Sequence, residues 1–327
     1  MQLRFRAIRE ESPGKKWKAH FEATWPDYRD WFLREGEKKR PGYVTCRKAL
    51  HDHMPEMVPL WEKLTELAGG GDQEARLLSL YCPTPYLSGC SQAVWTRGEP
   101  ALIRNYDYHP DYCEGTVLFS AWHGTKVIAQ TDCLWGVLDG INEKGLAVSL
   151  AFGGRQVVGE GFGIPLVLRY ILEFVETTKD AREVLQRVPS HMAYNVSVVD
   201  AAGRYATAHL SPDRPTFFVE SPVATNHQRE IEWTRHAKAT RSLEREEFLK
   251  DQLVNGSGEA RDFLCRFIES PLYSKAFDKG HGTLYTAAYR PRERAVEYRW
   301  PNHAWQQSFE SFDEGEVLIR YSNGDGE

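Results

Sequence analysis

The sequence changes character near residue 90, and this change constrains the fold more than any other feature. Before it, apolar residues recur at the three- and four-residue steps of one helix face: Met57, Leu60, Trp61, Leu64 and Leu67. After it, short strand-like runs flank turn signals such as His123-Gly124-Thr125. Strand groups separated by pairs of helical stretches indicate an antiparallel α+β architecture, not alternating βαβ units.

The pattern predicts the following elements along the chain. Helices are expected at 57–67, 73–80, 165–176, 180–188, 228–250 and 258–269. Strands are expected at 116–122, 126–131, 134–139, 146–152, 194–200, 205–210, 216–220, 283–289 and 295–300.

Composition excludes several classes of protein. The net charge of −5, from 41 basic and 46 acidic side chains, removes the electrostatic basis for nucleic acid or anionic membrane as a partner. The six cysteines form no C-x-x-C pair, which argues against structural zinc and a disulfide framework. The amino terminus lacks an apolar run, so we expect no signal peptide and a cytoplasmic protein. We also expect no metal and no cofactor. The sequence leaves a homo-oligomer open.

One cysteine stands where the helical region ends. Cys90 directly follows Gly89, and by itself a single cysteine is more often a buried packing residue than a nucleophile. Three further motifs follow it in order: Arg-Asn-Tyr-Asp at 104–107, Gly-Ile-Asn-Glu-Lys-Gly-Leu-Ala-Val at 140–148, and Thr-Asn-His at 225–227.

Together with Gly-Cys-Ser at 89–91, these motifs resemble the self-processing N-terminal-nucleophile (Ntn) amidohydrolases. The nearest type is the penicillin acyltransferase (isopenicillin N or acyl-coenzyme A:6-aminopenicillanate acyltransferase), with bile salt hydrolases and penicillin V acylases more distant. The resemblance covers roughly residues 80–300. It implies a four-layer αββα sandwich of two antiparallel sheets with an N-terminal helical segment. It also implies a pro-segment at 1–89 and a catalytic domain at 90–327.

The residue types suit that chemistry. If the chain is cut between Gly89 and Cys90, the new α-amine, with a reference pKa of about 7.7–8.0, can take a proton from a thiol of about 8.5. No histidine is then needed. The same thiol can make the cut by attacking the Gly89 carbonyl, and later form an acyl-thioester with a small-molecule acyl amide.

The resemblance assigns roles to other residues. Asp107 would hold the α-amine, and Asn226 would donate to the oxyanion. Ordinary structural uses compete with both: a turn aspartate for Asp107 and a helix cap for Asn226. Bile salt hydrolases have an asparagine where this chain has Ala151, so a backbone N–H near Ala151 or Phe152 would complete the oxyanion hole.

Two arginines are candidates for substrate binding or support. Arg104 would contact the nucleophile region or a substrate carboxylate, or else lie on an edge strand facing solvent. Arg241 resembles a second family arginine. However, Arg235, Arg241 and Arg245 all fall on one predicted charged helix, whose face would ordinarily be solvated.

The predicted function is therefore that of an amidohydrolase or acyltransferase, and three alternatives stay open. Cys90 could pair with His209 or His227 as an unprocessed thiol–imidazole hydrolase. His51-Asp52-His53 could bind a metal, although neighbours two residues apart diverge on a helix. The protein could also be a non-catalytic small-molecule binder with an inherited fold.

Overall fold

The computed structural model describes residues 1–256 and 258–322, which contain fifteen strands and nine α-helices. The strands are β1 (Gln2–Arg9), β2 (Gly89–Trp95), β3 (Ala101–Tyr108), β4 (Thr116–Ser120), β5 (Val127–Asp132), β6 (Gly136–Asn142), β7 (Ala147–Phe152), β8 (Tyr194–Val199), β9 (Tyr205–Leu210), β10 (Phe217–Val219), β11 (Val223–Ala224), β12 (Gly282–Arg290), β13 (Ala295–Trp300), β14 (His303–Ser308) and β15 (Gly315–Arg320). The helices are α1 (Lys15–Leu33), α2 (Tyr43–His53), α3 (Val58–Leu67), α4 (Asp72–Leu78), α5 (Ile164–Phe174), α6 (Thr178–Arg187), α7 (Thr234–Ala239), α8 (Ser242–Asn255) and α9 (Ala260–Arg266).

The strands form two sheets. The larger has the order β10-β9-β8-β7-β6-β5-β4-β1-β15, and the smaller has the order β11-β2-β3-β12-β13-β14. Neighbouring strands are antiparallel throughout except for β1 and β4, which run parallel.

The two sheets face each other, and helices cover their outer surfaces. Strands β2 and β3 pack against β7 and β8, while α5 and α6 cover the larger sheet and α8 lies on β2 and β11. Apolar residues of α8 and α9 form one buried cluster with β2 and β3. The predicted α+β fold of four αββα layers is therefore confirmed.

Helix α5 approaches the larger sheet closely because two facing positions lack side chains. All but one of its eleven residues are buried. A Cβ at Gly136 would lie 2.4 Å from Pro165 Cβ, and one at Gly140 would lie 2.8 Å from a Leu172 methyl carbon. Glycine at both positions lets the apolar helix pack directly on β6.

The segment before residue 90 is helical apart from its first strand, which the sequence analysis did not predict. Strand β1 lies between β4 and β15, inside the larger sheet. The indole N–H of Trp17 donates to the Leu134 carbonyl at 2.9 Å, and that of Trp135 donates to Leu78 at 2.9 Å. Residues on both sides of position 90 thus share one hydrophobic core.

The predicted helix at 228–250 begins later and is broken. The Gln228 side chain is buried and donates to the Leu210 carbonyl at 2.9 Å. The chain becomes helical only at Thr234, where α7 begins. Arg241 then takes a left-handed conformation (φ 51°) that separates α7 from α8. The chain also does not end with the predicted hairpin of β12 and β13, because β14 and β15 follow.

Candidate active site

Cys90 lies at the start of β2, fully buried between the sheets and the chain that precedes it. Its backbone N–H donates to Asn226 Oδ1 at 2.9 Å. Its Sγ accepts from Arg104 Nη2 at 3.1 Å and lies 4.0 Å from Ser88 Oγ. In the described part of the chain, no histidine is among the hydrogen-bond partners of this thiol.

Burial raises the pKa of the Cys90 thiol above its ordinary value, although the Arg104 guanidinium acts in the opposite direction. Because burial is the largest cause, the thiol stays protonated at neutral pH while the preceding residues cover it. Arg104 would become the dominant influence if that cover were removed.

Arg104 is completely buried on β3, so the surface alternative for this residue is wrong. Its Nη1 donates to Asp139 and to the Tyr285 hydroxyl (3.1 Å), while Nη2 faces the sulfur. Asp139 also accepts from Tyr285 (2.6 Å) and Tyr289. The guanidinium is therefore held in one orientation by an anion on one side and the thiol on the other.

Asn226 has all the hydrogen-bonding capacity of its amide in use. Oδ1 accepts from the Cys90 N–H and from Arg245 Nη2 at 2.7 Å. Nδ2 donates to the carbonyls of Ser88 (3.3 Å) and Phe152 (3.1 Å). The nearest following helix begins at Thr234, so the helix-cap alternative for Asn226 is wrong.

Asp107 lies on β3, buried, with 6% of its surface exposed, and it is not part of a turn. Its Oδ2 accepts from Arg245 Nη1 at 3.1 Å, and its Oδ1 accepts from the Thr283 hydroxyl at 2.6 Å. Arg245 Nη1 also donates to Ser91 Oγ at 2.8 Å. Arg245 thus links Asp107, Asn226 and the strand that carries Cys90.

The arginine at the centre of this network is Arg245, whereas Arg241 lies apart from it. Arg241 Nε donates to Glu244 at 2.6 Å, and half of its side chain is exposed at the rim of the cavity described below. Charge alone does not distinguish Arg241 from Arg245 in the sequence. The spacing of Ser242, Arg245 and Leu249, the three buried residues of α8, is the signal that distinguishes them.

Of the two candidate backbone donors, the geometry favours Phe152. The Gly153 N–H donates to Ala193 on the chain entering β8, so the alternation of an antiparallel ladder directs the Ala151 N–H to β8 as well. The N–H and C=O of Phe152 point to the other side, where its carbonyl accepts from Asn226. Pairing of β7 with β6 has already ended at Ser149 there.

A cavity of about 1530 Å³ opens beside the peptide bond between Gly89 and Cys90. The chain from Pro85 to Gly89 forms one wall, Asp107 and Arg245 lie at its inner end, and α1 and the segment 271–281 form other walls. Gly89 pairs with Asp107 across the ladder, and a Cβ on Gly89 would lie 3.1 Å from Asp107 Cβ. A larger residue at position 89 would therefore require a small shift of Asp107, which glycine avoids.

Histidines proposed as alternatives have other partners. His227 Nδ1 lies 2.8 Å from Ser242 Oγ, and its Nε2 lies 3.6 Å from Glu246. His209 is on β9, paired with Phe217 at the far edge of the larger sheet. His51 is exposed at the end of α2, and within residues 1–256 and 258–322 no group of three potential ligands is arranged to hold a metal ion.

Comparison with known proteins identifies the family. The model of the acyl-coenzyme A:6-aminopenicillanic acid acyl-transferase family matches residues 95–305, more than half of the chain. This chain belongs to that acyl-transferase family. The match includes Arg104, Asp107, Asn226 and Arg245, and it begins five residues after Cys90.

Solved structures with a similar fold include three hydrolases. A mutant of conjugated bile acid hydrolase from Clostridium perfringens is 12% identical, with a TM-score of 0.46, covering 71% of this chain and 97% of that one. Penicillin V acylase from Agrobacterium tumefaciens is 12% identical, with a TM-score of 0.46 and coverages of 69% and 90%. The Caenorhabditis elegans ortholog of N-acylethanolamine-hydrolyzing acid amidase is 14% identical, with a TM-score of 0.46 and coverages of 71% and 100%.

Two further comparisons complete the picture. None of the curated proteins matches the sequence. Among the described residues, no helix of this acyl-transferase family member is both long and apolar enough to cross a membrane.

Proposed function

We propose that this protein is a self-processing cysteine amidohydrolase or acyltransferase that uses Cys90 as its nucleophile. The observation that carries the proposal is the set of contacts on Cys90. Its sulfur faces a buried guanidinium, and its backbone nitrogen faces the amide of Asn226. Arg245 connects this amide to the carboxylate of Asp107.

Processing would use the peptide bond between Gly89 and Cys90. The thiol loses its proton and attacks the Gly89 carbonyl, the C–N bond breaks, and the nitrogen takes a proton to become the α-amine. Water then hydrolyses the thioester, which leaves a carboxylate on Gly89 and a free thiol on Cys90. Gly89 pairs with Asp107 across the ladder, so the new amine on Cys90 would lie beside a carboxylate.

The cut would also prepare the oxyanion donor. One Nδ2 hydrogen of Asn226 bonds the carbonyl of Ser88, which lies in the segment before the cut. Departure of Ser88 would free that hydrogen, while the other keeps the amide anchored to Phe152. A single preorganised donor of this kind typically stabilises a tetrahedral intermediate by about 3–4 kcal/mol.

Turnover would follow the same chemistry with an external amide. The α-amine accepts the thiol proton, Cys90 attacks the substrate carbonyl, and the amine returns the proton to the leaving nitrogen. Water or a second amine then takes the acyl group from the thioester. Release of residues 85–89 would extend the adjacent cavity to the sulfur and remove the burial that keeps the pKa of the thiol high.

Intact mass spectrometry of the purified chain tests the proposal. We expect pieces 1–89 and 90–327 for the wild type, and one uncut inactive chain for Cys90→Ala. Cys265→Ala, at a half-buried cysteine on α9, is the matched control and should process normally. Activity is then measured on a simple N-acyl amide, with and without 6-aminopenicillanic acid as acyl acceptor.

Two outcomes would contradict the proposal. A wild-type chain that stays whole yet hydrolyses amides would favour the thiol–imidazole mechanism. A whole chain that binds amides without turnover would favour a binding protein.

A further inference from the structure

One buried carboxylate differs from all the others. The buried acidic side chains of the described residues are Asp107, Glu114, Asp132, Asp139, Glu173, Asp200 and Glu297. Five of them form an ion pair with an arginine: Asp107, Asp139, Glu173, Asp200 and Glu297. Asp132, at the end of β5, has no cation within ion-pair distance among residues 1–256 and 258–322. A buried carboxylate without a cation is costly, so its surroundings need an explanation.

The neighbouring Tyr28 hydroxyl does not satisfy Asp132. Tyr28 has one hydroxyl proton, and its short hydrogen bond is to Glu114, whereas Asp132 Oδ1 is 3.3 Å away. The Tyr28 oxygen already accepts from the Cys133 N–H at 2.9 Å. Glu114 in turn has its own basic partner, because His20 Nε2 lies 3.1 Å from it. The N–H and the thiol of Cys133 also bond to Asp132. The two oxygens of an ionised carboxylate together accept about four hydrogen bonds, so Asp132 keeps acceptor capacity for a charged donor.

Burial and the Glu114 carboxylate raise the pKa of Asp132 from 3.8 to about 7. A cationic ligand beside Asp132 would offset both causes.

Asp132 lies in the wall of the cavity that adjoins the scissile position. Six aromatic residues line the same cavity: Tyr28, Trp31, Tyr86, Tyr108, Tyr112 and Tyr273.

We propose that Asp132 is a specificity-determining residue that binds a primary ammonium group carried by the acyl half of the substrate. Aromatic rings around a carboxylate suit an ammonium, which can donate to Asp132 while its stem packs against the rings. This assignment rests on the proposed function, and it specifies the substrate class of that site.

The position of the scissile chain decides which half of the substrate carries the charge. In processing, the carbonyl under attack belongs to Gly89, so residues 85–88 are on the acyl side of that bond. Those residues line the same cavity as Asp132. The acyl group of an external amide that replaces them therefore extends toward Asp132.

Three coumarin amides test the assignment: 6-aminohexanoyl, hexanoyl and 5-carboxypentanoyl amides of 7-amino-4-methylcoumarin. We expect wild-type kcat/KM to favour the aminohexanoyl amide over the hexanoyl amide by about tenfold or more, the scale of one charged hydrogen bond. The carboxypentanoyl amide should be the poorest of the three. Asp132→Asn should bring the aminohexanoyl-to-hexanoyl ratio close to one. Asp111→Asn, an exposed aspartate of the same cavity, should keep the wild-type ratio.

Each outcome decides one of the two proposals. Equal rates on the aminohexanoyl and hexanoyl amides, or a preference for hexanoyl, would overturn the role of Asp132 and leave the proposed function intact. If neither amide is hydrolysed, the proposed function fails, and calorimetric binding of 6-aminohexanamide against hexanamide decides the site. Tighter binding of the amino compound would support the ammonium site at Asp132, and equal binding of the two compounds would overturn it. The wild-type comparison with the carboxypentanoyl amide remains decisive even if Asp132→Asn does not fold.

Discussion

Arg245→Met should destabilise the folded protein strongly. It removes the donors to Asp107 (3.1 Å), Ser91 (2.8 Å) and the Asn226 oxygen (2.7 Å). Asp107 is buried, so after the loss of Arg245 it would either stay charged with no cation beside it or take up a proton. Removing one partner of a buried ion pair typically costs about 3–5 kcal/mol. We expect the free energy of unfolding to fall by that amount.

Arg241→Met is the matched control, on the same stretch of chain. Its ion pair with Glu244 is half-exposed on both sides, and exposed pairs are typically worth about 0–1 kcal/mol. Both substitutions are made in the Cys90→Ala chain, so that processing does not change the molecule being measured. Urea unfolding followed by tryptophan fluorescence gives the two free energies.

A double substitution separates the ion pair from simple loss of packing. If the cost of Arg245→Met comes from the unpaired carboxylate, adding Asp107→Asn should recover a large part of it, because no buried charge is then left alone. Arg245→Lys, which keeps the charge, should cost less than Arg245→Met and serves if the methionine variant does not fold. Equal costs for the Arg245 and Arg241 variants, or no recovery in the double variant, would refute the reasoning.

Three further outcomes are expected. The pKa of Asp132 rises from 3.8 to about 7 on folding, so the contribution of this residue to the free energy of unfolding should fall as pH rises from about 4 to 7. Asp132→Asn should therefore stabilise the chain more at about pH 8 than at pH 5, and an advantage that does not grow with pH would count against this. In processed enzyme, Arg104→Met should move the pH midpoint of Cys90 alkylation upward, because the guanidinium lowers the pKa of the thiol, while the exposed control Arg97→Met leaves it in place. After processing, the two fragments should co-elute in size-exclusion chromatography and separate only in denaturant, since β1 is hydrogen-bonded on both sides within the larger sheet; separation without denaturant would contradict this.

Local patterns in the chain were sufficient for most elements of the fold. Helix α3 and the hairpin of β4 and β5 lie within one or two residues of the predicted bounds, because apolar spacing and turn residues are short-range signals. Strand β1 was not predicted, because Gln2–Arg9 is short and contains three arginines among its apolar residues. Its pairing with β4 and β15 makes it a strand.

The candidate site shows the same division. The resemblance of four motifs was enough to single out Cys90, Arg104, Asp107 and Asn226, which the structure brings into one hydrogen-bonded group with Arg245. The choice of Arg245 over Arg241 needed the structure. Both are arginines on the same charged stretch, and burial at one and exposure at the other follow from the break that starts α8.

The sequence by itself indicated an antiparallel α+β chain and the motifs around Cys90, since these depend on residue spacing and residue type, and the resemblance of those motifs implied the αββα class. Only the tertiary structure decided which charges have partners. Asp139 lies with Arg104, Asp107 with Arg245, and Asp132 with no cation among the described residues. The partners in these pairs are 35 and 138 residues apart in the chain, so their pairing depends on how the strands and α8 pack, and no local pattern records it.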